Sequence, residues 1–388
     1  MSATKFIIRM AKPPRPIPLT AALLLLAVFL IPVFAPSALA QTVVATVTLP
    51  AGGVPYYAAY DSAKGELFVA NYGSNTVNVI SDSTNAVVAT VKVGALAWGV
   101  AYDSVKGEVF VTNNGDNTVS VISDASNVVV ATINVGTAPQ GVAYDSAKGE
   151  VFVANQGANT IAVISDSTNG VVATVSVGTA PTGVAVDSVK GEVFVPNRSA
   201  NTVTVISDST NAVVATVNAG TNPTGVAYDP AKGEVFVANF GANTTSVISD
   251  ASNTVVATVN VGGNPYGVAY DSGKGEVFVA NFGTNTVSVI SDATNAVVAT
   301  VNAGAHAYGV AYDSAKGDVF VTNRSDNTVS VISDGSSTTT TTPEFPAQWL
   351  IATLAFSLAI GGLLLGRNQM RGTGVSQSRV YIQPVTGT

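Results

Sequence analysis

Seven aspartates stand forty-two residues apart, at Asp61, Asp103, Asp145, Asp187, Asp229, Asp271 and Asp313. A ring of carboxylates could hold a hard cation, but a Ca²⁺ site needs about six to eight oxygens converging on one point. One Asp per repeat spreads them around a wide circle. Each also opens a turn such as "DSAKGE", where a carboxylate caps the loop by itself. No metal site is expected. The chain has no cysteine and one histidine, His306. Thiol nucleophiles, thiolate centres and imidazole clusters are excluded, and a His-dependent triad could be built once at most. No cofactor is expected.

What positions these residues is a repeat. The period never varies and carries no insertion, which points to a solenoid or a propeller. Val, Thr, Asn and Gly dominate, as in strands and turns. Each unit divides into four β-rich runs, here called A to D. In the second they are "GVAYD" (99–103), "EVFVTN" (108–113), "TVSVISD" (118–124) and "VVVATINV" (128–135). Four antiparallel strands per repeat make one propeller blade. The runs are apolar on both pleat faces, as strands sandwiched between two blades must be. The last repeat breaks off after Asp334, one D run short. The missing run stands at the other end, where "TVVATVTL" (42–49) matches "AVVATVKV" (86–93). A strand that completes the last blade closes a ring and removes two edges. The fold class is therefore all-β, a seven-bladed propeller over 41–334 closed by an N-terminal strand.

The stretch "FVTNNGDNTVSVISDASNVVVATINVG" (110–136) resembles the repeat of the YVTN β-propeller family, with Phe in place of the lead Tyr throughout and Ala often in the Thr position. The resemblance covers all seven repeats. It implies an exported propeller of the surface-layer type. It implies little about ligand, because propellers host unrelated activities.

The ends read as targeting segments. Residues 1–40 carry Lys5, Arg9, Lys12 and Arg15, an apolar run from Leu19 to Phe34, and "ALA" at 38–40, the pattern of a cleaved signal peptide. Residues 335–346 form a Ser/Thr/Pro stalk. Residues 347–366 are predicted as a membrane-spanning helix, with Arg367 and Arg371 holding the tail (367–388) in the cytoplasm. "PEF" at 343–345 with the span and arginines resembles a PEF-type sorting signal processed by archaeosortases.

Comparison of the seven copies separates two faces. The A–B and C–D loops barely change. The D–A loop changes freely, as does the second residue of the B–C loop: Tyr72, Asn114, Gln156, Arg198, Phe240, Phe282 and Arg324. The residue just before each A run is expected to ring the channel mouth. Ring closure makes Tyr266, Tyr308, Tyr56 and Trp98 neighbours, a candidate ligand-binding arc suited to stacking on sugars, apolar side chains or cations. Tyr72, Arg198, Phe240, Phe282 and Arg324 are secondary candidates on the same face. Charge is sorted too. The constant side of each blade carries three acids and one lysine, a net of −14 over seven blades, while the variable side is near neutral at +1. Nucleic acid is therefore not an expected partner. The expected role is a membrane-anchored binding, adhesion or surface-layer module for a cell-surface glycan or protein, and no enzyme. The alternatives are a lyase- or lactonase-like propeller enzyme, for which only His306, Asp116 and Asp326 lie near the mouth, and a purely structural lattice protein. "NRS" at Asn197 and Asn323 and "NTT" at Asn243 match the glycosylation sequon. The first two stand at an Asn present in every copy and read as structural.

Overall fold

The computed structural model describes residues 41–335. The predicted signal segment, span and tail, and the predicted stalk beyond Gly335, lie outside the described residues. Among those described, no helix is long and apolar enough to cross a membrane.

Seven four-stranded antiparallel sheets form the blades of a ring, as the repeat predicts. In the first blade the strands are Pro55–Asp61, Glu66–Asn71, Thr76–Ser81 and Ala86–Lys92. Closure occurs where the ends of the repeat require it. Thr42–Thr48 pairs antiparallel with Thr328–Ser333, from Thr42 opposite Ser333 to Thr48 opposite Thr328. Val47 and Leu49 then enter a core shared by the last blade (Phe320, Val329, Val331) and the first (Leu67, Val69, Ile80).

The same core recurs at every blade joint. Phe68, Phe110, Phe152, Phe194, Phe236, Phe278 and Phe320, which stand where the resembled family has its lead Tyr, are all buried between sheets. A phenol in that position would need a hydrogen-bond partner, and phenylalanine does not. On the inner strands the blades approach even more closely. A Cβ at Gly99 would lie 2.2 Å from the Gln140 carbonyl oxygen, and those at Gly141, Gly183, Gly225, Gly267 and Gly309 would meet the next blade's carbonyl at 2.1–2.7 Å. Only backbone fits there. The outer strands carry most of the exposed valines, Val88 and Val130 among them. The D strand shifts register at each of these, between the partners of Val79 and Ile80 in the first blade. Such a bulge twists an outer edge away from edge-to-edge pairing.

Turn chemistry and inter-blade contacts account for the constancy of the acidic face. The Asp61 carboxylate accepts from the amides of Ala63 (2.9 Å) and Lys64 (3.2 Å), the Asx turn anticipated from the sequence. Gly65 closes that turn at φ +69°. Lysines then bridge blades. Lys64 pairs with Asp124 of the second blade at 3.5 Å, Lys106 with Asp166 at 3.6 Å, and Lys316 of the last blade with Asp82 of the first at 3.0 Å. Exposed pairs of this kind are worth little singly, about 0–1 kcal/mol. Their regular placement fixes the residue types on this face.

Tyrosines add a further bridge. The Tyr102 hydroxyl donates to Asp124 at 3.5 Å and faces Asp61 of the preceding blade. The fourth blade has Val186 in that position, within a strand shortened to Ala185–Asp187. Asp145 of the third blade is left beside Asp208. Burial first, and the Asp208 carboxylate after it, push the Asp145 carboxyl above its ordinary range. A carboxyl raised in the fold binds its proton more tightly folded than unfolded, so ionisation at neutral pH costs stability that returns as pH falls through the raised value. Val186→Tyr, which supplies the missing hydroxyl, should therefore stabilise by about 0.5–2 kcal/mol at neutral pH. Thermal melts at two pH values check this. The gain should shrink on acidification, and a gain independent of pH would rule out the carboxyl pair as its source.

Candidate functional site

The hydrogen bonds confirm the assignment of loops to faces. Tyr72 N donates to Val54 O (3.1 Å) and Leu96 N to Asn75 Oδ1 (2.8 Å), joining D–A to B–C loops. Asp82 N donates to Gly65 O (3.0 Å), joining C–D to A–B. The residue two places before each mouth position, from Val54 to His306, adopts φ between 50° and 58°. At a β-branched residue such as Val54 that conformation is strained. It turns the chain so that the residue two places on, from Tyr56 to Tyr308, sits at the mouth. Six of the seven mouth residues lie inside the strands, which begin two residues earlier than the sequence reading placed them; Thr182 stands outside the fourth blade's strand, Ala185–Asp187.

The structure brings the four predicted aromatics together, and it packs them against one another. Tyr266 and Tyr308 stack with ring centroids 4.0 Å apart. Tyr56 lies 4.6 Å from Tyr308 and 4.5 Å from Trp98. Tyr72 stacks on Tyr56 at 4.8 Å and meets Trp98 edge-on at 5.6 Å. Tyr56, Tyr266 and Tyr308 are only 3–5% exposed, while Trp98 remains half-buried. The arc is thus an aromatic floor rather than an open row of stacking faces. Burial holds its hydroxyls protonated: Tyr56 is pushed up to about 12 despite the opposing pull of Arg324, and Tyr266 and Tyr308 are also raised by burial. These phenols can donate hydrogen bonds, but they cannot act as bases at neutral pH.

Sequence reasoning missed one member of this floor. Tyr57 stands where the other six blades have the inner-strand glycine. Its ring packs 5.5 Å from Tyr308 and 6.4 Å from Tyr266. It also lines a channel cavity of about 120 Å³ whose walls are otherwise inner-strand Gly and Val. The signal was present as the one break in a glycine period, "PYYAAYD" against "AWGVAYD". Burial raises the Tyr57 hydroxyl well above its ordinary value.

Four of the five secondary candidates turn out to be the walls of the site, while Tyr72 packs against Tyr56 and Trp98. A basin of about 220 Å³ lies over the floor, with Arg198, Phe240, Phe282 and Arg324 at its sides. The Arg198 guanidinium sits 4.9 Å from the Phe240 centroid, and that of Arg324 sits 4.8 Å from Tyr56 and 6.0 Å from Phe282. Cation–π contact of this kind holds a guanidinium in place without using its N–H edge. His306 stacks on Phe282 at 4.2 Å, with Nδ1 2.5 Å from Ser325 Oγ at the exposed rim. The other half of the mouth is spent internally. Gln140 Nε2 donates to Gln156 Oε1 (2.8 Å), Thr182 Oγ1 to Thr224 O (3.0 Å), and Thr224 Oγ1 to Ala238 O (3.2 Å).

Among the described residues no cluster of three or more His, Asp or Glu is placed to hold a metal. Asn197 and Asn323 are fully buried, so neither sequon can accept a glycan in the fold, whereas Asn243 is exposed.

No family model matches the chain, and no curated protein matches it. Among solved structures it is similar to the Kuenenia stuttgartiensis hydrazine synthase, with 20% identity and a TM-score of 0.67 over 74% of this chain and 97% of that one. At that identity the likeness speaks for the fold alone, and it agrees that the chain is a β-propeller.

Proposed function

We propose that this protein is an exported, membrane-anchored binding module of the YVTN type that engages a cell-surface glycan or protein through the channel mouth. One observation carries this reading: two guanidiniums and six aromatic rings border one basin, on the face whose loops differ from blade to blade. A rigid ring carrying variable loops is a common way to present a binding site. The predicted signal segment (1–40) and span (347–366) supply export and anchoring. Because the last propeller strand ends at Ser333 on the acidic face, this reading expects that face toward the membrane and the mouth outward.

The full-length protein on intact cells should bind a component of a neighbouring cell surface, or of a glycan array, saturably. Trp98→Ala should abolish that binding with only a small loss in melting temperature. A lattice protein without a ligand would show no Trp98-dependent binding. Orientation is tested with cysteines at Thr179 and Ala63, both exposed and on opposite faces, in a chain with no native cysteine. The buried Thr182, at 5%, is unsuitable for labelling. An impermeant maleimide should react faster at 179, and equal rates would contradict an oriented disc.

One observation favours the enzyme reading, the contact of His306 Nδ1 with Ser325 Oγ at 2.5 Å, which pairs a nucleophile with a base. Hydrolysis of an activated ester or lactone, lost in both Ser325→Ala and His306→Ala, would establish it. Asp326 is not placed as a third member, because its Oδ2 accepts from Ala305 N at 2.6 Å.

A further inference from the structure

We propose that the mouth basin takes the anionic terminal sugar of an acidic saccharide and holds its carboxylate or sulfate between Arg198 and Arg324. This rests on the binding-module reading above and names the class of ligand. Arg198, Phe240, Phe282 and Arg324 occupy the same loop position in four successive blades. The basin wall therefore runs guanidinium, phenyl, phenyl, guanidinium. Each guanidinium lies over a ring, so its flat face is occupied while its N–H edge is not committed by that contact.

No carboxylate among the described residues satisfies those edges. Among the described residues the ion pairs within 4.0 Å are formed by lysines and lie on the opposite face; neither arginine takes part in one. The acids on the arginines' own face are already engaged, with Asp116 Oδ2 accepting from Ala95 N and Asp326 Oδ2 from Ala305 N, both at 2.6 Å. Two cations are thus held in place by aromatic stacking and left without a counter-charge inside a concave site. A planar or tetrahedral oxyanion fits the bidentate fork of arginine.

Size and backbone chemistry narrow the occupant. Pockets for drug-sized ligands run from about 300 to 1,000 Å³. A basin of about 220 Å³ admits one residue at the end of a chain. An extended peptide would need a free backbone edge. At the mouth, inner-strand amides pair with the next blade, Gly141 N with Thr182 O (2.8 Å) and Gly183 N with Thr224 O (3.2 Å). The contacts on offer come from side chains, with apolar ring walls for the C–H face of a pyranose and guanidinium for its anionic substituent.

The test is titration calorimetry on the full chain with three tetrasaccharides that differ in the terminal residue: glucuronate, glucose 6-sulfate and glucose. Either acidic probe should bind saturably, more weakly as salt rises, and the glucose-terminated probe should not bind. Arg198→Gln and Arg324→Gln should each weaken binding by about 10- to 100-fold, the effect of losing a charge-assisted pair. Their melting temperatures should remain those of the parent. Arg324→Lys should also bind less well, because an ammonium keeps the charge but not the fork. Preference between the two acidic probes tells a carboxylate source from a sulfate source. Equal binding of the neutral probe, acidic binding indifferent to both Gln variants, or no binding of either acidic probe overturns the inference. A neutral glycan or a protein captured in a Trp98-dependent way would overturn it while leaving the binding-module reading intact. Absence of any Trp98-dependent partner would remove that reading itself.

Discussion

Deletion of residues 41–49 is expected to unfold the last blade and make the protein aggregate. Thr42–Thr48 is the outer partner of Thr328–Ser333 in an otherwise three-stranded blade. Its loss also removes Val47 and Leu49 from the core joining the last blade to the first, where they are 4% and 3% exposed. Truncating buried aliphatic side chains of this size costs about 2–5 kcal/mol each. Asn327 Nδ2 would lose the carbonyl of Leu49, at 2.9 Å. The exposed edge would read "TVSVIS", an uncharged β-branched segment, and such edges pair with other chains. Thermal melting and sedimentation check the result. A monomeric product with the parent melting temperature would mean that the ring does not depend on its N-terminal strand.

Tyr308→Ala is expected to destabilise the whole propeller by about 3–5 kcal/mol, the range for removing a buried aromatic. The sequence alone placed Tyr308 among exposed ligand contacts, where truncation would leave the fold intact. The structure places it at the centre of the floor. Its ring lies 4.0 Å from Tyr266, 4.6 Å from Tyr56, 5.5 Å from Tyr57 and 6.2 Å from Phe282, and 3% of the residue is exposed. Removing it leaves a void under four rings drawn from the two neighbouring blades. Trp98→Ala should cost less, since Trp98 is half-buried, and so serves as the cleaner probe of binding. Denaturant melts of the two variants decide the point. Equal and small losses would show that the tyrosines do not form one packed unit.

The two predictions separate what the chain order states from what packing adds. Period, blade count, strand order and closure were legible in the sequence, because each is a statement about local pattern. A forty-two-residue repeat with four β runs can bury its two apolar faces only between copies of itself. A D run displaced to the N-terminus has one place to pair. The Asx turns at Asp61 and its equivalents were legible for the same reason, since the carboxylate and the amides it caps lie within three residues. The break in the glycine period at Tyr57 was equally visible, but its meaning was not. Seven blades meet at one axis, and only the radius of the inner ring, tight enough to put a Cβ at Gly99 2.2 Å from a neighbouring carbonyl, shows what a side chain there must do. The sequence likewise named the aromatic arc and its flanking arginines, because ring closure makes distant blades neighbours. It could not assign their roles. Tyr56, Tyr266 and Tyr308 became floor, and Arg198 and Arg324 became walls, because side chains converging on an axis crowd as the radius shrinks. Inner-strand residues cover one another, and only those on the loops above keep an edge free.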